Sequence, residues 1–311
     1  MTTTITTPAS NTAGSIDAQP ATGDSQAHQA VALIAQHRLL TSAQIRTLVA
    51  PHLPPRKIHK VLVPLREDGL ITHTTLPHGM QAHFLTPAGH QTVADWPELR
   101  GRTATPIHSP AAARLRAGHI LTGARAHLAF LTDARARGDE YQPLDWVPEV
   151  THRLPDTAGA DRLIADAVFH YTATSPRRLQ YRAFVEIDRA TMSSERLARK
   201  LITYARFHSY TPQPTGRRGT VADQGAMLAW QRVYPRFPRI LFILTGASRP
   251  SLAHRIADLR SMAADHELVA RVATRVPLGA AVLEDIEEQG PQAPVWTPLT
   301  GSAEPRGWTE L

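Results

Sequence analysis

The 311-residue chain contains no cysteine. That excludes disulfides, thiolate zinc sites and a catalytic thiol, and it fits a cytoplasmic protein. Long apolar runs are missing as well, so no membrane-spanning helix is expected. The first 25 residues hold neither Lys nor Arg and no continuous apolar block, which excludes a secretory signal there. Rich in Thr, Ala and Ser, residues 1–25 read as a disordered tail. There is no Gly-rich phosphate loop, no G-x-S-x-G elbow and no internal repeat. The 16 histidines are many, but no pair has convincing ligand spacing on an assigned element, and none is assigned to a metal.

Acid is in deficit: 27 Asp and Glu against 34 Lys and Arg give a formal net charge of +7. A surplus carried mainly by arginine suits phosphate better than an acidic substrate, which points to nucleic acid. With 42% hydrophobic residues the chain can bury a real core, and its length suits two domains.

Residues 26–96 carry the first. A helix over about 28–37 precedes Thr41-Ser42, which caps a second short helix. Pro55 starts a third, with Ile58, Val61, Leu62 and Leu65 inward and Arg56, Lys57 and Lys60 outward near its start; Gly69 is its stop. A strand over 70–75, a turn at 77–80 and a returning strand over 81–85 complete a hairpin. Residues 97–112, rich in Pro, Thr and Ser, read as a linker.

The second domain, 113–288, opens on a long helix over about 113–137. A strand near 144–151 follows, then the stretch 162–204, which reads as strand, hairpin, strand and helix. Alternation puts Asp166 on one face with Ile164 and Val168, and Glu186 and Asp188 two apart on one face of the next strand. Three carboxylates at the ends of apolar strands need a compensating cation, and Mg²⁺ suits an all-oxygen site. Lys200 lies beside the apolar stripe Leu197, Leu201 and Tyr204 of the following helix and so leans toward the sheet. The alternative is strand-end charges paired with Arg182, Arg189 or Arg199. Arg217 and Arg218 sit in a polar loop that either lies along a nucleic-acid backbone or is plain surface. A continuous apolar strand over 240–244, a helix over 251–264 and a strand over 268–275 indicate a mixed central sheet covered on both faces. Residues 289–311, with four prolines, read as an irregular tail.

Three helices and a hairpin in this order resemble the winged helix-turn-helix domain. That resemblance implies that Arg56, Lys57 and Lys60 meet double-stranded DNA, with Pro64 as a departure inside the recognition helix. The order helix, three strands, helix, strand, with Asp166, Glu186 and a basic helix residue, resembles the PD-(D/E)xK restriction-endonuclease-like fold. The chain as a whole, through LDWVPE, ADAVF, VEIDRAT, KLITY and FPRILFIL, resembles the replication-relaxation family of actinobacterial plasmids and other mobile elements. The resemblances imply an α+β protein. Its active form would hold Mg²⁺ or Mn²⁺ on Asp166, Glu186 and Asp188, with Lys200 at the water or phosphate and Tyr204 bracing the lysine. Asp188 stands where that nuclease pattern has lysine, so DNA binding without cleavage is the alternative. Other plasmid replication proteins and a second copy of the chain are implied as partners. A winged-helix transcriptional regulator with a ligand- or partner-binding second domain is a further alternative.

Overall fold

The computed structural model describes residues 23–101, 105–154, 162–212 and 227–311. Helix α1 (Gly23–His37) starts inside the segment expected to be a disordered tail. The short strand β1 (Leu40–Thr41) leads directly into α2 (Ser42–Val49). Thr41 caps α2: its Oγ1 accepts from the Gln44 amide at 3.2 Å, and Gln44 Oε1 accepts from the Thr41 amide at 3.1 Å. Each bond satisfies an amide that the helix start would otherwise leave open.

A 3-10 turn at Pro55–Ile58 runs into α3 (His59–Glu67), which tolerates Pro64 in its interior. Gly69, at φ +68, ends that helix in the left-handed region that favours glycine. Strands β2 (Ile71–Thr75) and β3 (Gln81–Leu85) pair antiparallel, and β1 adds to the far side of β3, so the sheet order is β1-β3-β2. Thr86 caps α4 (Pro87–Val93).

The long helix α5 (Pro110–Arg137) joins the two halves. Ser109 caps its start, and Gly138, at φ +72, ends it. Strands β4 (Trp146–Arg153), β5 (Arg162–Ala173) and β6 (Leu179–Asp188) follow, then α6 (Ser194–Ser209), β7 (Arg239–Leu244) and α7 (Arg249–Asp265). The segment 268–275, expected as a strand, is instead all but the first residue of helix α8 (Glu267–Ala273) and the turn after it. Val269 and Val272 are buried three apart, a helical spacing, and a short Val-rich run cannot by itself separate helix from strand.

The next strand is β8 (Leu278–Val282), whose Gly and Ala residues carry little strand signal. Helix α9 (Leu283–Gln289), strand β9 (Thr297–Pro298) and a 3-10 turn at Trp308–Glu310 follow. One six-stranded sheet results, ordered β4-β5-β6-β7-β8-β9, with β6-β7-β8 parallel and the other pairs antiparallel. The protein is thus α+β with a mixed central sheet.

Each face of the sheet has its own core. On one side α6, α7 and α8 pack Leu197, Leu201, Leu252 and Val269 against Phe184, Phe242 and Ala280. On the other, Phe130 of α5 meets Phe169, Val185 and Leu241, and this core continues without a gap into Ile34, Leu48 and Leu62 of the first three helices. The final segment is irregular but docked rather than loose. Trp296 and Trp308 are fully buried, and Arg239 donates to the carbonyls of Trp308, Thr309 and Leu311. Ile107, within the expected linker, is buried with Leu39, Phe84 and Ile120 between β3 and α5.

Candidate functional site

The alternation along β5 inverts at Asp166. Leu163 and Ala165 pack on the α6 side, yet Ala167, Phe169 and Tyr171, still odd-numbered, pack on the α5 side. The expected shared face of Ile164, Asp166 and Val168 therefore does not form. Neighbouring β4 inverts at the same level, between Trp146 on the α5 side and Val150 on the α6 side. The hinge there is Glu149, a non-glycine residue at φ +52, a conformation worth about 1–3 kcal/mol of strain. Pairing of β5 with β6 begins only at Ala167 with Val185. Asp166 takes over where the ladder stops, its Oδ2 accepting from the Ile187 amide at 2.8 Å.

Glu186 lies directly beyond that break on β6, 1% exposed. Tyr204 donates its hydroxyl to Glu186 Oε1 at 2.6 Å, and Lys200 donates its Nζ to Oε2 at 2.6 Å. The same Nζ donates to the Ile164 carbonyl at 3.0 Å and stands 3.8 Å from Asp166 Oδ1. One ammonium therefore bridges two carboxylates from adjacent strands. Helix α6 achieves this because Leu197, Leu201 and Tyr204 anchor its stripe on the sheet, and Lys200 stands beside them with its side chain 28% exposed.

The electrostatics follow from burial. Desolvation and the charge of Asp166 push the Glu186 carboxyl up to about 8, against the pull of Lys200 and the Tyr204 hydroxyl. Desolvation also opposes ionisation of Asp166, but the His119 hydrogen bond, the charges of Lys200 and His119, and the Ile187 amide outweigh it, and its net shift is downward. Lys200 loses hydration too, yet Glu186 and Asp166 raise it, so it stays an ammonium.

Asp188 does not join this pair. Its Oδ2 accepts from Arg255 Nε at 2.9 Å, and Arg255 also donates to the Met192 carbonyl at 2.6 Å. Among the described residues, no three His, Asp or Glu side chains form a group that could hold a metal ion. Asp166 and Glu186 remain as a two-carboxylate set. That suits Mg²⁺, which protein often holds by one or two carboxylates while waters and a substrate phosphate complete the octahedron. The Lys200 ammonium lies between them.

Two features escape sequence reasoning. His119, on α5, places Nε2 3.6 Å from Asp166 Oδ1. Arg38, at φ +70 just past α1, ion-pairs Glu149. Both border a cavity of about 20 Å³ with Trp146 and Asp166, room for about one water. No periodicity in the sequence announces either contact, because each joins segments far apart in the chain.

Arg56 and Lys57, in the 3-10 turn Pro55–Ile58, and Lys60, at the start of α3, are all exposed. Arg217 and Arg218 lie outside the described residues. None of Arg182, Arg189 or Arg199 is the partner of an acid in the 166–188 set; Lys200 and Arg255 are. No helix of the described residues is long and apolar enough to cross a membrane.

No curated protein and no solved structure shows significant similarity to the chain. The family model for replication-relaxation matches residues 31–222, a span that takes in Asp166, Glu186, Lys200 and Tyr204 and stops before Arg255. The chain belongs to the replication-relaxation family.

Proposed function

We propose that this protein binds DNA during replication of a plasmid or mobile element and hydrolyses a phosphodiester bond with a divalent cation held by Asp166 and Glu186. The observation that carries the proposal is the single ammonium of Lys200 shared by two carboxylates of adjacent strands. A buried ionic cluster is weak support for stability, because apolar packing of the same volume does as well or better. Clusters of this kind with strongly shifted protonation concentrate at sites of chemistry.

Each residue has a role in keeping with its contacts. The Ile187 amide orients Asp166, and the Tyr204 hydroxyl orients Glu186. Lys200 offers positive charge to the phosphate oxygens as charge builds on them. Mg²⁺ or Mn²⁺, when bound, supplies Lewis-acid polarisation and a more acidic bound water. The α1–α3 helices with the β2–β3 hairpin act as a winged helix, laying the exposed Arg56, Lys57 and Lys60 against the duplex.

A second reading, DNA binding without cleavage, is favoured by one observation. Lys200 and Tyr204 already engage both oxygens of Glu186. Supercoiled plasmid incubated with Mg²⁺ or Mn²⁺ separates the two. Wild type is expected to nick it, and Asp166→Asn, Glu186→Gln and Lys200→Ala to lose at least ~100-fold in rate, the scale of removing one charge-stabilising group. Equal inactivity of all four proteins, with DNA binding intact, would establish the second reading.

A further inference from the structure

Helix α6 carries one acid, Glu195, against Arg196, Arg199, Lys200 and Arg206. Arg196, Arg199 and Arg206 are exposed, and with Thr203 they fall at i, i+3, i+7 and i+10, a strip along one side of the helix. Lys200, the residue that reaches the acid pair, borders that strip. Its Nζ bonds the Ile164 carbonyl, two residues from Arg162 on β5. There Arg162 stands directly opposite Arg153 of the edge strand β4, both exposed. Like charges facing across a ladder are destabilising unless an anion lies between them.

Elsewhere in the sheet half some arginines are tied down, while others such as Arg177, Arg232 and Arg275 are exposed without an ion pair among the described residues but do not line up along one element. Arg125, Arg178, Arg249 and Arg255 are ion-paired, and Arg239 and Arg260 bond backbone carbonyls. None of Arg153, Arg162, Arg196, Arg199 or Arg206 forms an ion pair among the described residues.

We infer that the outer strip of α6, continued by the Arg153–Arg162 pair, is a track for the phosphate backbone of one DNA strand, feeding it past Lys200. This rests on the assignment of Lys200 and the acid pair as the reacting centre. The strip is about 15 Å long, matching roughly four nucleotides at 3.4 Å each. Its guanidinium groups suit phosphate oxygens and carry no base-reading pattern, so binding along it is independent of base sequence.

The test uses the full chain in EDTA, so that no cleavage occurs. In an Arg56→Ala, Lys57→Ala, Lys60→Ala background, fluorescence anisotropy measures binding of a labelled 30-nucleotide strand and of the matching duplex over a salt series. Adding Arg196→Gln, Arg199→Gln and Arg206→Gln is expected to weaken binding at least ~10-fold and to flatten the logarithmic salt dependence by about 2, at ~0.7–0.9 for each phosphate no longer neutralised. Unchanged affinity and slope, with unchanged thermal melting, overturn the track. Competition by polyglutamate as effective as competition by DNA of equal charge also overturns it, assigning the strip to an acidic protein. Plasmid nicking is scored separately. A wild type that nicks while the glutamine variant binds and nicks equally well removes the track and keeps the centre. Binding that depends on the strip, in a wild type that never nicks, removes the centre and keeps the track.

Discussion

Asp188 and Glu186 sit two residues apart on one strand and meet different fates. Glu186 is shared between Lys200 and Tyr204, whereas Asp188 is claimed by Arg255 from α7. Both acids are 1% exposed, so each must find its compensation inside the protein. Asp188→Asn should therefore act on stability. It strands the Arg255 guanidinium, 14% exposed as a side chain, and removing one partner of a buried pair costs about 3–5 kcal/mol. Urea denaturation should show a lower midpoint at unchanged slope, with nicking per folded molecule retained. Loss of nicking in a fully folded Asp188→Asn protein would return Asp188 to the reacting centre. This division was invisible in the sequence, where the two acids flank Ile187 and share one strand period. Arg255 lies 67 residues from Asp188, and only packing of α7 on the sheet brings it there.

Among the elements, the paired inversion of β4 and β5 decides where the site lies. A strand with uninterrupted alternation would have kept Asp166 on one face; the turn-over at Glu149 and Asp166 places it at the gap in the β5–β6 ladder instead. Arg38 holds Glu149 in that conformation, and its Nε has no hydrogen-bond partner, so the ion pair with Glu149 is its main compensation. Glu149→Gln should cost about 1.5–3 kcal/mol, the range for a hydrogen bond to a charged group. Differential scanning calorimetry would show it as a lowered transition, and an unchanged melting temperature would remove Arg38 from the hinge. At the 3-10 turn leading into α3 the expectation concerns binding. Arg56→Ala with Lys57→Ala should reduce duplex affinity and flatten its logarithmic salt slope by about 2, one for each phosphate. Titration of a labelled duplex across a salt series checks this. If slope and affinity both hold, α3 does not face the DNA.

In the whole molecule, the core on the α5 side runs from α1 to the final tryptophans, so the two halves share one buried interior. Histidines are enclosed in it and in its neighbours. Burial pushes His83 and His152 down to about 4, the first helped by His73, Arg66 and His59. Burial, with His37 and Arg135 nearby, holds His127 well below the ordinary range. These groups are neutral when folded and take up protons near 6.5 when unfolded. The unfolded chain thus binds more protons below 6.5, and folding stability present above that pH is lost as it falls toward about 4. Thermal melts from pH 7.5 to 4 should show a steady fall beginning near 6.5. In His152→Gln and His127→Gln the fall should be shallower; a profile parallel to wild type would place the acid sensitivity elsewhere.

The local devices were legible in the sequence because they are local: Thr41 capping α2, Gly69 ending α3, and the apolar stripe that turns Lys200 toward the sheet. The approach of Lys200 to Glu186 was also legible from strand order and helix phase, whereas Asp166 joins them through a turn-over of β5 that simple alternation does not announce. Segment 268–275 was misread because a turn or two of valine-rich helix and a short strand bury the same residues. β8 stayed hidden in LGAAV because its small residues owe their place to the sheet around them. The partners of Asp188 and Glu149, the approach of His119, and the docking of the last 20 residues belong to the tertiary structure alone. Short-range period and capping reflect bonds within a few residues, whereas pairing across 60 or more is chosen by which surfaces the completed core leaves facing one another.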